Sequence, residues 1–313
     1  MPAKLSIHVP GDAVLVRVIA DDASLTVGRD PTCDLVVVHE SVSRRHAQLA
    51  GNQAGRWVLS DLGSKNGIRI DGQREPQAQL SRHGWFAIGD VMCEFEPIDA
   101  DAAANLSARS RERRHSSLAW SQRFDSGSET RDLIGNLLNG IVEVAECERG
   151  FLLTLDRDGQ LRMRACYEMA PEDASRVAFT GSRSAIDRAI NERRAVFLSD
   201  RRDKAWLQDQ ASVIAGGIRA LACVPLLQDG RLLGIAYADT ANEAKVFTDL
   251  DAELLSALVD HAAAALALTE LDASLSDMSF WLAVNHTGMR EGSGPAPTWG
   301  SVASGTHIDE TAS

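Results

Sequence analysis

Apolar and polar positions alternate with a period of two through roughly the first hundred residues. Ala13–Val18, Leu35–Val38, Arg56–Leu59 and Val91–Phe95 are short runs rich in β-branched and aromatic side chains. Turn-forming groups separate them: Gly28-Arg29-Asp30-Pro31, Asn66-Gly67, Asp71-Gly72 and Gly89-Asp90. No apolar stripe of helical period interrupts the series, so an antiparallel sandwich is expected. Residues 99–128 change character, Ala-Asp-rich and then Arg-Ser-rich as far as Arg113-Arg114-His115-Ser116-Ser117, and read as a linker. From Thr130 the period becomes helical: Leu133, Leu137, Ile141 and Val144, with Ile134, Leu138, Val142 and Ala145, fill one wide face. Strand-like runs follow at 150–155, 161–167, 195–198, 220–226 and 232–238, with helical patterns at 184–192 and 249–271. That order predicts a mixed α/β domain between flanking helices. Past residue 276 the chain is rich in Gly, Ser, Thr and Pro and reads as a disordered tail. The expected division is therefore 1–98, a linker over 99–128, a second domain over 129–272 and a tail over 273–313.

Length agrees with this division, since 313 residues make about two domains at roughly 100–200 residues each. The longest unbroken apolar stretch, Ala262–Leu268, is far short of the roughly 20 residues a membrane span needs. No basic segment followed by an apolar core opens the chain, so a cytoplasmic protein without a membrane partner is expected. Five scattered cysteines (33, 93, 147, 166, 223) form no CxxC pair, which argues for reduced thiols rather than a disulfide framework or a zinc knuckle. The net charge of −12 is uneven. Residues 1–98 hold 10 Lys/Arg against 12 Asp/Glu, and residues 129–313 hold 17 against 28. No region is basic enough for general nucleic-acid binding, but a local cationic pocket fits the near-neutral first third.

Three short elements in that third carry candidate chemistry: Gly28-Arg29, Ser43-Arg44-Arg45-His46 and Ser64-Lys65-Asn66-Gly67. All fall between predicted strands, and loops at one end of a sandwich converge in space. Arginine offers a rigid fork of donors matched to a tetrahedral oxyanion. A serine hydroxyl and turn amides add donors, and asparagine can bond a peptide backbone through both its carbonyl and its amide. At about 1.5–3 kcal/mol per charge-assisted bond, three or four on one phosphate support about micromolar peptide binding after association costs. His39-Glu40 with His46 has HEx5H rather than HExxH spacing and lies in a loop segment, so no helical face is shared for a zinc hydrolase. Ser43 and His46 as nucleophile and base would need an orienting acid and an oxyanion hole.

The ordered set Gly-Arg, Ser-x-x-His and Asn-Gly resembles the signature of forkhead-associated (FHA) domains. The resemblance covers about residues 5–97 and extends to Leu25-Thr26-Val27, Asp34-Leu35 and Asp61-Leu62-Gly63. It implies an all-β sandwich of about eleven strands that binds phosphothreonine peptides at its loop apex. On that resemblance, Arg29 and Ser43 hold the phosphate, Arg44 reinforces them, and Asn66 fixes the ligand backbone. His46 becomes an internal strut, and Gly28 and Gly67 permit tight turns. The position before Asn66 is often Thr or Ser in the family; here Lys65 brings a cation to the pocket. The implied partner is a phosphothreonine-containing protein, either a Ser/Thr kinase or its substrate.

Ala220–Leu226 and Leu232–Ala238 meet at Asp229-Gly230, a strong hairpin turn. With Asn242, Phe247 and the helix from Asp249, this part resembles GAF domains over about residues 128–272. The family implies an α/β domain with a six-stranded antiparallel sheet, a small-molecule pocket and flanking helices that pair in homodimers. Asn242, Lys245, Phe247 and Asp251 resemble the Asn-Lys-Phe-Asp-Glu motif of cyclic-nucleotide GAF domains, so they mark the candidate ligand region. Here Asn and Lys are not adjacent, and Ala252 replaces the final acid. Cys166 and Cys223 are alternatives as bilin attachment sites, though packing suits them better, and His261 lacks the surroundings of a kinase phosphoacceptor. A purely structural or dimerising GAF domain is the simplest reading.

None of the four lysines completes a Gly-Lys-Ser/Thr P-loop, and no His-Arg-Asp or Asp-Phe-Gly kinase motif is present. No catalytic residue, cofactor or metal is therefore expected, and the chain reads as a bacterial signalling adaptor. A ligand-gated regulator with the FHA part as tether is the competing class. Thr306, with Asp309 three residues on, and the Arg-Arg-His-Ser-Ser run ending at Ser117 are the candidate phosphorylation sites.

Overall fold

The structure, a computed structural model, describes residues 1–52, 56–122, 130–156, 158–168, 180–199 and 217–267. The tail, Thr306 and residues 268–271 of the expected last helix lie outside the described residues.

The N-terminal part contains eleven strands among the described residues. They are β1 (Ala3–His8), β2 (Leu15–Ile19), β3 (Ser24–Gly28), β4 (Leu35–Val36), β5 (Ala47–Gly51), β6 (Trp57–Asp61), β7 (Ile68–Ile70), β8 (Gln73–Glu75), β9 (Gln77–Leu80), β10 (Gly84–Ile88) and β11 (Val91–Pro97). One sheet runs β2-β1-β11-β10-β7-β8 and the other β4-β3-β5-β6-β9. The period of two sets this arrangement: along β11, Val91, Cys93 and Phe95 are buried while Met92 is exposed. Trp57 and Phe95 meet edge to face at 5.9 Å between the sheets, with Leu5, Ile7, Leu49 and Leu59 around them.

Residues 100–121 differ from the expected linker, because they form one helix, α1 (Ala100–Ser121). Asp99 caps it, its carboxylate accepting the Ala102 N–H at 2.6 Å. The Ala-rich start favours helix, and docking supplies the rest. Arg113 donates to the Val144 carbonyl at 2.9 Å and to Asp251 at 2.7 Å, and Arg114 grips both oxygens of Glu253 at 3.0 and 2.9 Å. The arginines of the candidate kinase site are thus tied to the domain that follows, and Ser117 is buried.

The second domain contains α2 (Thr130–Ala145), β12 (Arg149–Leu155), β13 (Leu161–Tyr167), α3 (Thr180–Glu192), β14 (Val196–Ser199), β15 (Ala220–Gln228), β16 (Arg231–Thr240) and α4 over 249–267. Among the described residues, five strands form an antiparallel sheet in the order β13-β12-β16-β15-β14, against six in the family pattern. Asp229 and Gly230 both adopt positive φ, 50° and 77°, the conformation a two-residue hairpin turn requires. Leu137, Ile141, Leu255 and Leu258 from α2 and α4 share one core with Leu152, Ala222 and Ala236 of the sheet. Ile186 and Ala189 of α3 join a second core with Phe151 and Tyr237, whose rings stack at 4.5 Å.

The two domains meet along the edge of β2. Val14 donates its N–H to the Phe247 carbonyl at 2.9 Å and accepts the Asp249 N–H at 2.8 Å, a parallel bridge with Thr248. Asp249 also accepts the Val16 N–H at 2.9 Å and pairs with Arg17, and Ala13 is buried in the α2–α4 core. Edge strands leave a row of unpaired backbone groups, and here the first turn of α4 covers part of that row.

Candidate functional site

The loops after β3, before β5 and after β6 converge at one end of the sandwich. Gly28 leads into the first, where a Cβ would collide with the Arg44 carbonyl oxygen, so only glycine lets these two loops touch. The Arg29 N–H donates to the Ser43 carbonyl at 2.9 Å and the Asp30 N–H to the Arg44 carbonyl at 3.0 Å, joining the first two loops directly. Arg29 Nε rests on the Val42 carbonyl at 3.3 Å while the side chain stays exposed. Its two terminal amino groups thus remain available for an anion. Asp30 accepts both the N–H and the hydroxyl of Thr32, bonds that, with Arg44 and Arg45 nearby, hold its carboxyl below the ordinary range.

The third loop joins through hydroxyl and imidazole groups. Ser43 Oγ accepts the Lys65 N–H at 3.0 Å, which orients the hydroxyl and leaves its own proton free to donate. His46 is fully buried; its Nδ1 accepts the Ser43 N–H and its Nε2 reaches the Gly67 carbonyl, both at 3.0 Å. These two bonds set one tautomer and span two loops, and they engage both ring nitrogens with backbone groups rather than with Ser43 Oγ. Asn66 donates Nδ2 to the Ser41 carbonyl at 2.8 Å, which leaves Oδ1 to accept a backbone N–H from an incoming chain. Gly67 has φ +73°, and the Arg74 guanidinium lies where a Cβ would sit. Arg44, Arg45 and Lys65 are exposed, and among the described residues none of them is held in an ion pair. The arrangement presents charged forks, one oriented hydroxyl and one oriented amide on a single rim.

Four supporting residues have no role assigned to them from the sequence. Ser41 positions Asn66 and also bonds His39 Nδ1 at 2.8 Å and the Asp90 N–H at 2.9 Å. Asp61 accepts the N–H groups of Gly63 and Ser64, both at 3.1 Å, and the Ser64 hydroxyl accepts the Gly67 N–H at 2.8 Å. Arg74 donates to the Ser64 carbonyl at 3.3 Å. Asp61 and Ser64 lie within the recognised text, and an Asx-type turn could have been read there. Ser41 and Arg74 carry no local signal.

The candidate ligand residues of the second domain have different surroundings. Lys245, at 8% side-chain exposure, pairs with Glu146 at 2.9 Å and with Asp251 at 3.3 Å, and lies 5.1 Å over the Phe247 ring. Asp251, at 2%, also holds Arg113, and it accepts the Thr248 N–H and hydroxyl in a capping arrangement at the start of α4. Burial raises the Asp251 carboxyl, but Lys245, Arg113 and the Thr248 bonds outweigh it and hold it below the ordinary range. Phe247 is buried in the core against Phe197 at 5.4 Å. Asn242 shapes the turn before Lys245, its Oδ1 accepting the Ala244 N–H at 2.9 Å. Cys223 is buried, and burial pushes its thiol above its ordinary range; Cys166 is partly exposed. Burial also pushes the Cys147 thiol up to about 12.

A profile of the FHA domain family matches residues 25–85, and a profile of the GAF domain family matches residues 127–267. The ABC transporter ATP-binding/permease protein Rv1747 of Mycobacterium tuberculosis is 37% identical over 79 residues, 25% of this chain and 9% of that protein. The oxoglutarate dehydrogenase inhibitor of Corynebacterium glutamicum is 38% identical over 69 residues, 22% of this chain and 46% of that protein. The chain thus spans less than half the length of either relative. Among solved structures, the Rv1747 FHA-1 domain aligns with TM-score 0.27 and 33% identity, over 31% of this chain and 97% of that one. The GAF domain of an Acinetobacter phosphoenolpyruvate-protein phosphotransferase aligns with TM-score 0.40 and 12% identity, over 50% and 93%. The chain carries an FHA domain followed by a GAF domain.

Proposed function

We propose that this protein is a non-catalytic cytoplasmic signalling adaptor whose FHA domain captures phosphothreonine-containing segments of a Ser/Thr kinase or its substrate. The observation that carries the reading is the meeting of Arg29, Ser43 and Lys65 at one rim, through the Arg29-to-Ser43 backbone bond of 2.9 Å and the Lys65-to-Ser43 bond of 3.0 Å. Arg29 and Ser43 grip the phosphate, Arg44 and Lys65 add positive charge, and Asn66 Oδ1 holds the neighbouring peptide amide. His46, Gly28 and Gly67 keep the loops in register. In the GAF domain, Lys245 and Asp251 have charged partners of their own, so the region of Asn242, Lys245, Phe247 and Asp251 is read as a structural node. Homodimer formation through the flanking helices remains the part proposed for this domain.

An oriented phosphothreonine peptide library tests the reading on wild type, Arg29→Ala and Asn66→Ala. Wild type is expected to enrich a phosphopeptide motif, Arg29→Ala to lose it, and Asn66→Ala to weaken it. Equal retention by wild type and Arg29→Ala contradicts the assignment.

A further inference from the structure

The place of the domain junction bears on how the apex site, on the phosphothreonine reading above, is regulated. β1 ends at His8, paired with Met92 of β11. The adjoining β10–β11 turn is bonded to the apex loops: the Gly89 N–H donates to the Gly67 carbonyl at 3.2 Å and the Asp90 N–H to Ser41 Oγ at 2.9 Å. Ser41 in turn receives Asn66. The loop that leaves β1 therefore starts at the apex end of the sandwich, and it delivers Val14 to the GAF domain. Three strand spacings separate β2 from β10, about 15 Å at about 4.8 Å each.

At the far end of that loop, the first turn of α4 has two carboxylates with different partners. Asp249 holds β2 through the Val16 N–H and Arg17, and Asp251 holds α1 through Arg113. The same helix turn touches the FHA domain, the helix between the domains and the GAF core.

We propose that occupancy of the apex is coupled to the first turn of α4. A phosphothreonine peptide orders the loops at 41–46 and 64–67; the stiffening passes through the Gly89-Asp90 turn and the β1–β2 loop to Val14, Thr248 and Asp249. Linkage is reciprocal: by whatever factor the phosphopeptide changes the affinity for a small molecule in the GAF domain or for a second copy, that binding changes phosphopeptide affinity by the same factor.

Hydrogen exchange on the full chain reads this directly. The probe is the tightest phosphothreonine peptide from the oriented library, with its unphosphorylated twin as control. The phosphorylated peptide is expected to slow exchange of the 248–255 amides on the order of five-fold, and the twin to leave them unchanged. Asp249→Ala, which cuts both bonds to β2, is expected to erase that response while phosphate-dependent binding of the peptide persists. Arg17→Ala, which removes only the ion pair, reduces the response and serves if Asp249→Ala does not fold. Failure of any phosphothreonine peptide to bind wild type overturns the apex reading and the coupling with it. Phosphate-dependent binding with unchanged exchange at 248–255 overturns the coupling alone.

Discussion

At the FHA apex, Arg29, Arg44, Arg45 and Lys65 hold positive charge in solvent, with one hydroxyl and one amide oriented beside them. At the start of α4, Arg113, Lys245, Glu146 and Asp251 neutralise one another, two of them almost wholly out of water. Both places bear residues of a family's ligand signature. They differ in whether donors remain unfilled. A guanidinium whose terminal amino groups face water can exchange solvent for a phosphate at little cost. A buried ion pair must be broken before either partner can receive a ligand, and breaking one costs about 3–5 kcal/mol. Residue type and spacing alone do not distinguish the two cases.

The comparison can be broken first at Asp251. Asp251→Ala leaves Arg113 and Lys245 without their buried partner and removes the α4 cap, so a loss of about 3–5 kcal/mol in stability is expected by thermal or urea unfolding. Acid should act through the same group. Its folded pKa lies below the ordinary 3.8, so its stabilisation is present above that value and is lost as pH falls through the folded pKa. Asp239, pushed up by burial against the pull of Arg149, has the opposite sign and partly offsets that loss. An unfolding series from pH 7 to pH 2 checks the acid limb.

Smaller effects belong to the apex. Gly28→Ala forces the first two loops apart and should cost about 1–3 kcal/mol together with phosphopeptide binding. Arg29→Ala should reduce phosphopeptide affinity by about 1.5–3 kcal/mol for each bond lost, with the melting temperature unchanged, because its side chain supports the fold only through the Val42 contact among the described residues. Lys65→Ala should lower affinity by about 0.2–1 kcal/mol and flatten its salt dependence, without effect on stability. A large stability loss at Lys65, or none at Asp251, would reverse the contrast.

Much of this was legible in the chain. Alternation predicted the sandwich, because a strand buried on one face must repeat every two residues, and Val91–Phe95 does so. Asp229-Gly230 announced its hairpin because few other pairs accept two positive φ values. The helix over 100–121 reads as a linker for an equally physical reason: the side of it turned inward carries Ala103, Leu106, Ser110, Arg113, Ser117 and Trp120, too mixed to show a continuous apolar stripe. Its docking depends on Arg113 and Arg114 meeting acids about 140 residues away, with separations of 138 and 139. The loop cations were legible because family spacing brings them together, whereas Ser41 was not, since its role depends on Asn66 and Asp90 arriving from other strands.

Calorimetric titration of the full chain with one library-selected phosphothreonine peptide, its bare-threonine twin, and the phosphopeptide against Arg29→Ala tests the central claim most directly. The account predicts saturable binding near micromolar affinity for the first and none measurable for the other two. Equal heats for the phosphorylated and bare peptides would contradict it.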